Sequence, residues 1–301
     1  MTATVMKGSE VSMHLEPQIE SNVKEVKKHF NPGLAAIYVG SNRASEIYLD
    51  KKQKMCKNFG FDFEKIHIGE DVSQDHLIGQ IKELNADNRF HGIFTQLPLP
   101  SHLETSLYKI FDAIDPKKDV DGLTQTNTAE LYRGDIGLFI PATVRGVMEM
   151  MLYYGVETTR KRVLVTGRSR ITGAPFVNIL GGYAGAKFDK TLGNATVIWC
   201  NSYTPYETLL EETSRADIII SCTGADAASL GRDYLLPGDI VKEGAVIFDV
   251  GIRQLNGKTV GDVDYTTSLE RVDKISPVPG GVGRMTVTAL MQNLVDAARY
   301  L

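Results

Sequence analysis

The chain has 301 residues, 43% hydrophobic and 23% charged, with a formal net charge of −4. That length accommodates two domains of ordinary size, and an acidic balance without a long basic run speaks against broad nucleic-acid binding. Cys56, Cys200 and Cys222 lie far apart without metal-ligand spacing, and polar residues interrupt every long apolar stretch. A cytoplasmic protein with no disulfide framework and no membrane partner is expected. Residues 1–20 mix Lys7, Glu10, His14 and Glu16 with apolar side chains, unlike a secretion or Arg-rich transit segment.

In chain order, Ile19, Val23, Val26 and Phe30 recur at helical spacing and predict an amphipathic helix over 19–30. The apolar run 34–39 after Pro32-Gly33 predicts a strand, 40–45 a turn and 45–58 a helix. A further helical piece covers 78–84, and a short strand over 92–95 enters the Pro-rich loop QLPLPSH. Residues 112–127 are polar, with Asp115-Pro116 and Asp121-Gly122 as turn signals, and 141–153 predicts a helix at a domain crossing. Strands are then expected over 162–166, 195–200, 217–221 and 245–250, with a glycine-bounded turn over 167–173 and a helix over 174–180. This repeated β-loop-α rhythm is that of a doubly wound α/β domain. The glycine-rich stretch 181–193 reads as an extended surface loop.

Three constellations could carry chemistry. A strand that ends in Gly167 and opens a helix near Gly173 presents unpaired N–H groups to phosphate oxygens, although GRSRITG only partly matches the G-x-G-x-x-G pattern. Gly167, Arg168, Ser169 and Gly173 are its candidate cofactor contacts, and a structural turn is the competing reading. The strand ending at Cys200 has no acid until Glu207, whereas Arg168 and Ser202 could donate to a 2′-phosphate, which favours NADP over NAD. Thr223, Gly224, Gly251 and Ile252 follow the later strands and could shape the nicotinamide side of a crevice.

In the first domain Tyr48 and Lys52 share one helix face. Tyr48 could stack on a planar heterocycle while Lys52 moves a proton, if burial lowers its pKa. Taken alone, a helical lysine more often faces water. Gln96 could orient the lysine, and Asp121 could accept paired hydrogen bonds from an amino-pyrimidine edge or merely stabilise its turn. The segment PVPGGVGRMTV places Pro279, Gly280 and Gly281 before a helix, and one pocket could form between this shaped loop and the one at Leu97-Pro98. The six histidines form no ligand motif and no metal is expected.

YLDKKQKMCKNFG, HGIFTQLPLPSH, PKKDVDGLTQTN, GRSRITGAP, FDVGI and PVPGGVGRMTV occur in order over nearly the whole chain. Together they resemble the bifunctional methylenetetrahydrofolate dehydrogenase/methenyltetrahydrofolate cyclohydrolase family of one-carbon metabolism. The resemblance implies an α/β folate-binding lobe over 1–140, completed by 275–301, and a Rossmann-like NAD(P)-binding lobe over 141–274. The last helix would return to the first lobe, and both reactions would share a cleft. It also implies catalytic Lys52 assisted by Gln96, Tyr48 packing on folate, Asp121 binding the pterin, a tetrahydrofolate-derived substrate, and a homodimer. Ala142, Val144 and Arg284 depart from the family's usual Cys, Pro and Pro. A monofunctional dehydrogenase and a non-catalytic folate- or dinucleotide-binding protein remain as alternatives, and the fold rhythm alone also admits an amino-acid dehydrogenase.

Overall fold

The computed structural model describes residues 3–136, 138–224 and 227–300. The chain divides into two compact units. One gathers Leu15–Glu130, Gly137–Ala142 and Val287–Leu301; the other gathers Met1–His14, Leu131–Ile136 and Thr143–Thr286. Both are α/β, as expected from the sequence. Among the described residues no helix is long and apolar enough to cross a membrane.

The first unit is built on a three-stranded parallel sheet with Gly33–Val39 between Asp62–Ile68 and Gly92–Thr95. Every residue of the central strand is buried, as expected where helices cover both faces of a parallel sheet. Its side chains alternate between two cores. Leu34, Ala36 and Tyr38 pack with Leu49, Met55 and Phe94, while Ala35, Ile37 and Val39 pack with Leu77, Ile81 and Ile93. The helix Val282–Tyr300 contributes Val287, Leu290, Met291, Leu294 and Ala298 to the first of these cores. That 3–4 residue spacing is an apolar stripe, and each buried Leu or Met on it contributes roughly 1.5–3 kcal/mol.

The second unit holds six parallel strands in the order Thr4–Val5, Lys274–Ile275, Val246–Asp249, Ile218–Ser221, Arg162–Thr166, Thr196–Cys200. Leu164, Ile219, Ile247 and Ile275 lie side by side across four of them in one buried row. Chain order reverses between Arg162–Thr166 and Ile218–Ser221, and ligands of doubly wound sheets bind at the carboxyl ends of strands beside such a switch.

Several elements differ from the sequence reading. The first helix runs Gly8–Val26, not 19–30, and tolerates Pro17 inside it. Residues 1–14, expected in the first lobe, belong to the second unit because Thr4 and Val5 pair with Lys274 and Ile275. The same pairing keeps 275–286 in that unit, so only Val287 onward joins the first. The stretch 181–193 is no extended loop: it contains the helix Ala184–Phe188, and Ala184, Gly185 and Leu192 are buried. The strand Asp62–Ile68 was not foreseen.

Candidate functional site

Helix Arg43–Phe59 starts where the Asn42 side chain accepts the Ser45 N–H at 3.1 Å and stops at Gly60 in the left-handed conformation. Its inward stripe is Ser45, Leu49, Lys52, Cys56 and Phe59, so Lys52 occupies a core position and is only 6% exposed. The Lys52 Nζ donates to Gln96 Oε1 at 3.1 Å and lies 3.7 Å from the centre of the Phe94 ring. One hydrogen bond and one aromatic face compensate poorly for lost hydration. Burial therefore pushes the Lys52 pKa down, opposed by the charge of Asp121. A lysine so placed gives up its proton more readily than one in water, as a group that moves protons must.

Gln96 is locked on three sides. Its N–H donates to Ile37 O at 2.8 Å and its Nε2 to Leu97 O at 2.9 Å, which turns Oε1 to the lysine. The Leu97 carbonyl also accepts Ser45 Oγ at 3.0 Å, tying the start of the lysine-bearing helix to the Pro-rich loop. Leu97–Pro98 is cis.

Asp121 is free of the turn-stabilising duty that competed with a binding role. Asp119 performs it, accepting Thr124 N and Asn127 Nδ2, each at 2.8 Å. Gly122 follows at φ +70, where a Cβ would come within 2.9 Å of Pro141 N. Asn293 Nδ2 donates to Val120 O at 2.7 Å and Ile140 O at 3.0 Å, fixing the backbone on either side. Among the described residues no hydrogen bond reaches the Asp121 carboxylate. Burial pushes its pKa up and Lys52 opposes this. The structure thus brings Lys52, Gln96 and Asp121 into one cluster. Tyr48 is half-buried, and Lys51 rather than Lys52 sits over its ring, at 5.1 Å. The sequence reading did not place Phe94 or Cys56 beside Lys52, although Phe94 shares strand parity with Gln96 and Cys56 follows Lys52 by one helical turn.

In the second unit the turn after Arg162–Thr166 leaves no room for a side chain at Gly167 or at Gly173. A Cβ on Gly167 (φ +98) would lie 2.7 Å from Cys222 O, and one on Gly173 would lie 2.1 Å from Gly167 O. Trp199 Nε1 holds the turn by donating to Gly167 O at 2.7 Å. The helix Gly173–Gly181 therefore opens against a bare backbone, a cradle suited to a pyrophosphate. Ser169 Oγ accepts Ile171 N at 3.1 Å. Arg168 is exposed, and its guanidinium stacks 4.8 Å from the centre of the Tyr203 ring, next to exposed Ser202. Tyr203 is the contact the sequence did not suggest. Thr223 N donates to Asp262 Oδ2 at 2.9 Å, Gly224 has φ +57, and Gly251 N donates to Ser221 O at 3.0 Å, ahead of exposed Ile252. Pro279, Gly280 and Gly281 also belong to this unit. Gly280 O accepts Gly8 N at 2.9 Å, and Gly281 N donates to Pro277 O at 2.8 Å just before the last helix.

One unit thus carries a glycine-lined turn at its switch point, and the other a buried lysine held by an amide. Residues 6–121 match the tetrahydrofolate dehydrogenase/cyclohydrolase catalytic domain, and residues 141–301 match its NAD(P)-binding domain. The bifunctional protein FolD of Streptococcus thermophilus is 39% identical over 299 residues, covering 98% of each chain. The crystal structure of the bifunctional FolD from Campylobacter jejuni is 35% identical with a TM-score of 0.87, covering 99% of both chains. That of the Trypanosoma brucei enzyme, complexed with NADP and an inhibitor, is 29% identical with a TM-score of 0.87, covering 100% of this chain and 98% of that one. The chain belongs to the bifunctional methylenetetrahydrofolate dehydrogenase/cyclohydrolase family and is an enzyme of that type.

Proposed function

We propose that this enzyme oxidises 5,10-methylenetetrahydrofolate with NADP+ and hydrolyses the resulting 5,10-methenyltetrahydrofolate to 10-formyltetrahydrofolate, with Lys52 moving the protons of the second step. The observation that carries this reading is a buried lysine held by Gln96 beside an uncommitted Asp121. Bound NADP+ supplies the acceptor for the hydride leaving the one-carbon bridge. The protein's part in that step is alignment. In hydrolysis, Lys52 takes a proton from the water that adds to the cationic carbon and returns one as the ring opens. Gln96 fixes the direction of the amine. Asp121 accepts paired hydrogen bonds from the amino-pyrimidine edge, and Tyr48 with Leu97 and Pro98 packs against the ring system. Folate contacts by Pro279, Gly280 and Gly281 are carried over from the family resemblance. So is a homodimer, and a cytoplasmic setting agrees with three free, buried cysteines.

The choice of NADP over NAD rests on the missing acid after Cys200 and on Arg168 stacked beside Ser202. The NADP-bound relative from Trypanosoma brucei supports it. Arg168→Met is expected to raise the KM for NADP+ by about tenfold or more, the scale of one charge-assisted contact, while NAD+ changes little. Initial rates with each cofactor check this. Equal losses for both would assign Arg168 a general role in the turn and remove the basis for NADP preference.

A further inference from the structure

Two carboxylates lie inside the second unit at the ends of Ile218–Ser221 and Val246–Asp249: Asp262 is fully buried and Asp249 is 4% exposed. Asp262 Oδ2 accepts Ser221 Oγ at 2.8 Å and Thr223 N at 2.9 Å, while its buried Oδ1 has no hydrogen-bond partner. Asp249 accepts the Asp262 and Val263 N–H groups, each at 3.0 Å. Backbone closes tightly around both. A Cβ on Gly251 would lie 2.3 Å from the Asp262 carboxyl, and one on Gly261 would lie 2.0 Å from Asp249 Oδ2. Burial and the neighbouring Asp262 push Asp249 up to about 8, so Asp249 keeps its proton at neutral pH. The Asp262 carboxyl lies directly behind the Thr223 N–H.

Two neighbouring buried carboxyl groups are a costly way to fill a core. Here one of them holds the turn after Ser221, whose next N–H, on Gly224, has no hydrogen-bond partner among the described residues. We propose that Asp262 is a positioning residue for the cofactor: it clamps the Thr223–Gly224 backbone so that the free Gly224 N–H stays aimed as a donor to the nicotinamide half. The inference rests on the proposed cofactor role of Thr223 and Gly224. Asp249 supports the clamp by orienting Asp262 through its backbone N–H.

Hydrolysis of methenyltetrahydrofolate needs no cofactor, so it reports folding independently in the same protein. Asp262→Ala should raise the KM for NADP+ about tenfold or more, and Asp262→Asn, which keeps one acceptor oxygen and replaces the other with an amide nitrogen, about threefold to tenfold. Hydrolysis without cofactor should stay within about twofold of wild type in Asp262→Asn. A KM for NADP+ unchanged in Asp262→Asn with hydrolysis intact would overturn the proposal. So would a parallel fall of both reactions in that variant, the mark of a merely structural carboxylate. If Asp262→Ala fails to fold, Asp262→Asn alone decides. Wild-type protein that reduces no NADP+ would undo the functional reading itself.

Discussion

Lys52→Met is expected to slow methenyltetrahydrofolate hydrolysis by about 100-fold or more, the usual contribution of a positioned acid–base group. Methionine keeps the apolar stem and fits among Leu49, Met55 and Phe94, but it can neither take nor return a proton. Reduction of cofactor should survive better, because hydride transfer needs alignment more than a base. Stability should move the other way. Burial depresses the Lys52 pKa, so its ammonium form destabilises the folded state below the folded pKa, and that penalty fades as pH rises through the ordinary lysine range. The variant's gain in melting temperature should therefore be largest at acid pH and shrink as pH rises toward the ordinary lysine value. Wild-type hydrolysis in the variant would remove Lys52 from the chemistry. Parallel loss of both reactions with folate binding intact would make it a positioning group.

Gly173→Ala is expected to damage the cofactor site alone. The added carbon would meet the Gly167 carbonyl at 2.1 Å, a backbone atom with no flexible end to yield. Helix and turn must separate, at a cost of roughly 1–3 kcal/mol for overpacking, and a displacement near 1 Å at a reacting site lowers rate by about 100-fold. NADP+ titration by calorimetry should show affinity reduced by at least about tenfold, while cofactor-free hydrolysis persists because Lys52, Gln96 and Asp121 lie in the other unit. Undiminished NADP+ affinity would mean that the close approach does not shape the phosphate cradle.

Periodicity served the sequence reading where burial is continuous. The strands 92–95 and 162–166 coincide residue for residue with the structure because each is a short apolar run between turn signals. Asp62–Ile68 escaped because an edge strand with Asp, Glu, Lys and His toward solvent carries little apolar signal, and only its pairing with Gly33–Val39 makes it a strand. Thr4–Val5 and Lys274–Ile275 are two-residue strands that exist through each other and through Val246–Asp249, across most of the chain length. At the site, helical spacing and the family resemblance located Lys52. Its burial was invisible, since a lysine inside an apolar stripe reads as a solvated interruption. Likewise KDVDG offers two aspartates for one turn, and only the structure shows that Asp119 stabilises it and leaves Asp121 open. Tyr203 under Arg168 depends on two strands lying side by side, which no local pattern encodes.

The most direct test of two reactions in this one protein is a single progress curve with methylenetetrahydrofolate and NADP+, following reduced cofactor and methenyl product at separate wavelengths. The account predicts that NADPH accumulates well ahead of methenyltetrahydrofolate, because the enzyme hydrolyses it faster than the uncatalysed reaction does. Accumulation of the two in equal amounts, with methenyl product then decaying at the enzyme-free rate, would contradict it.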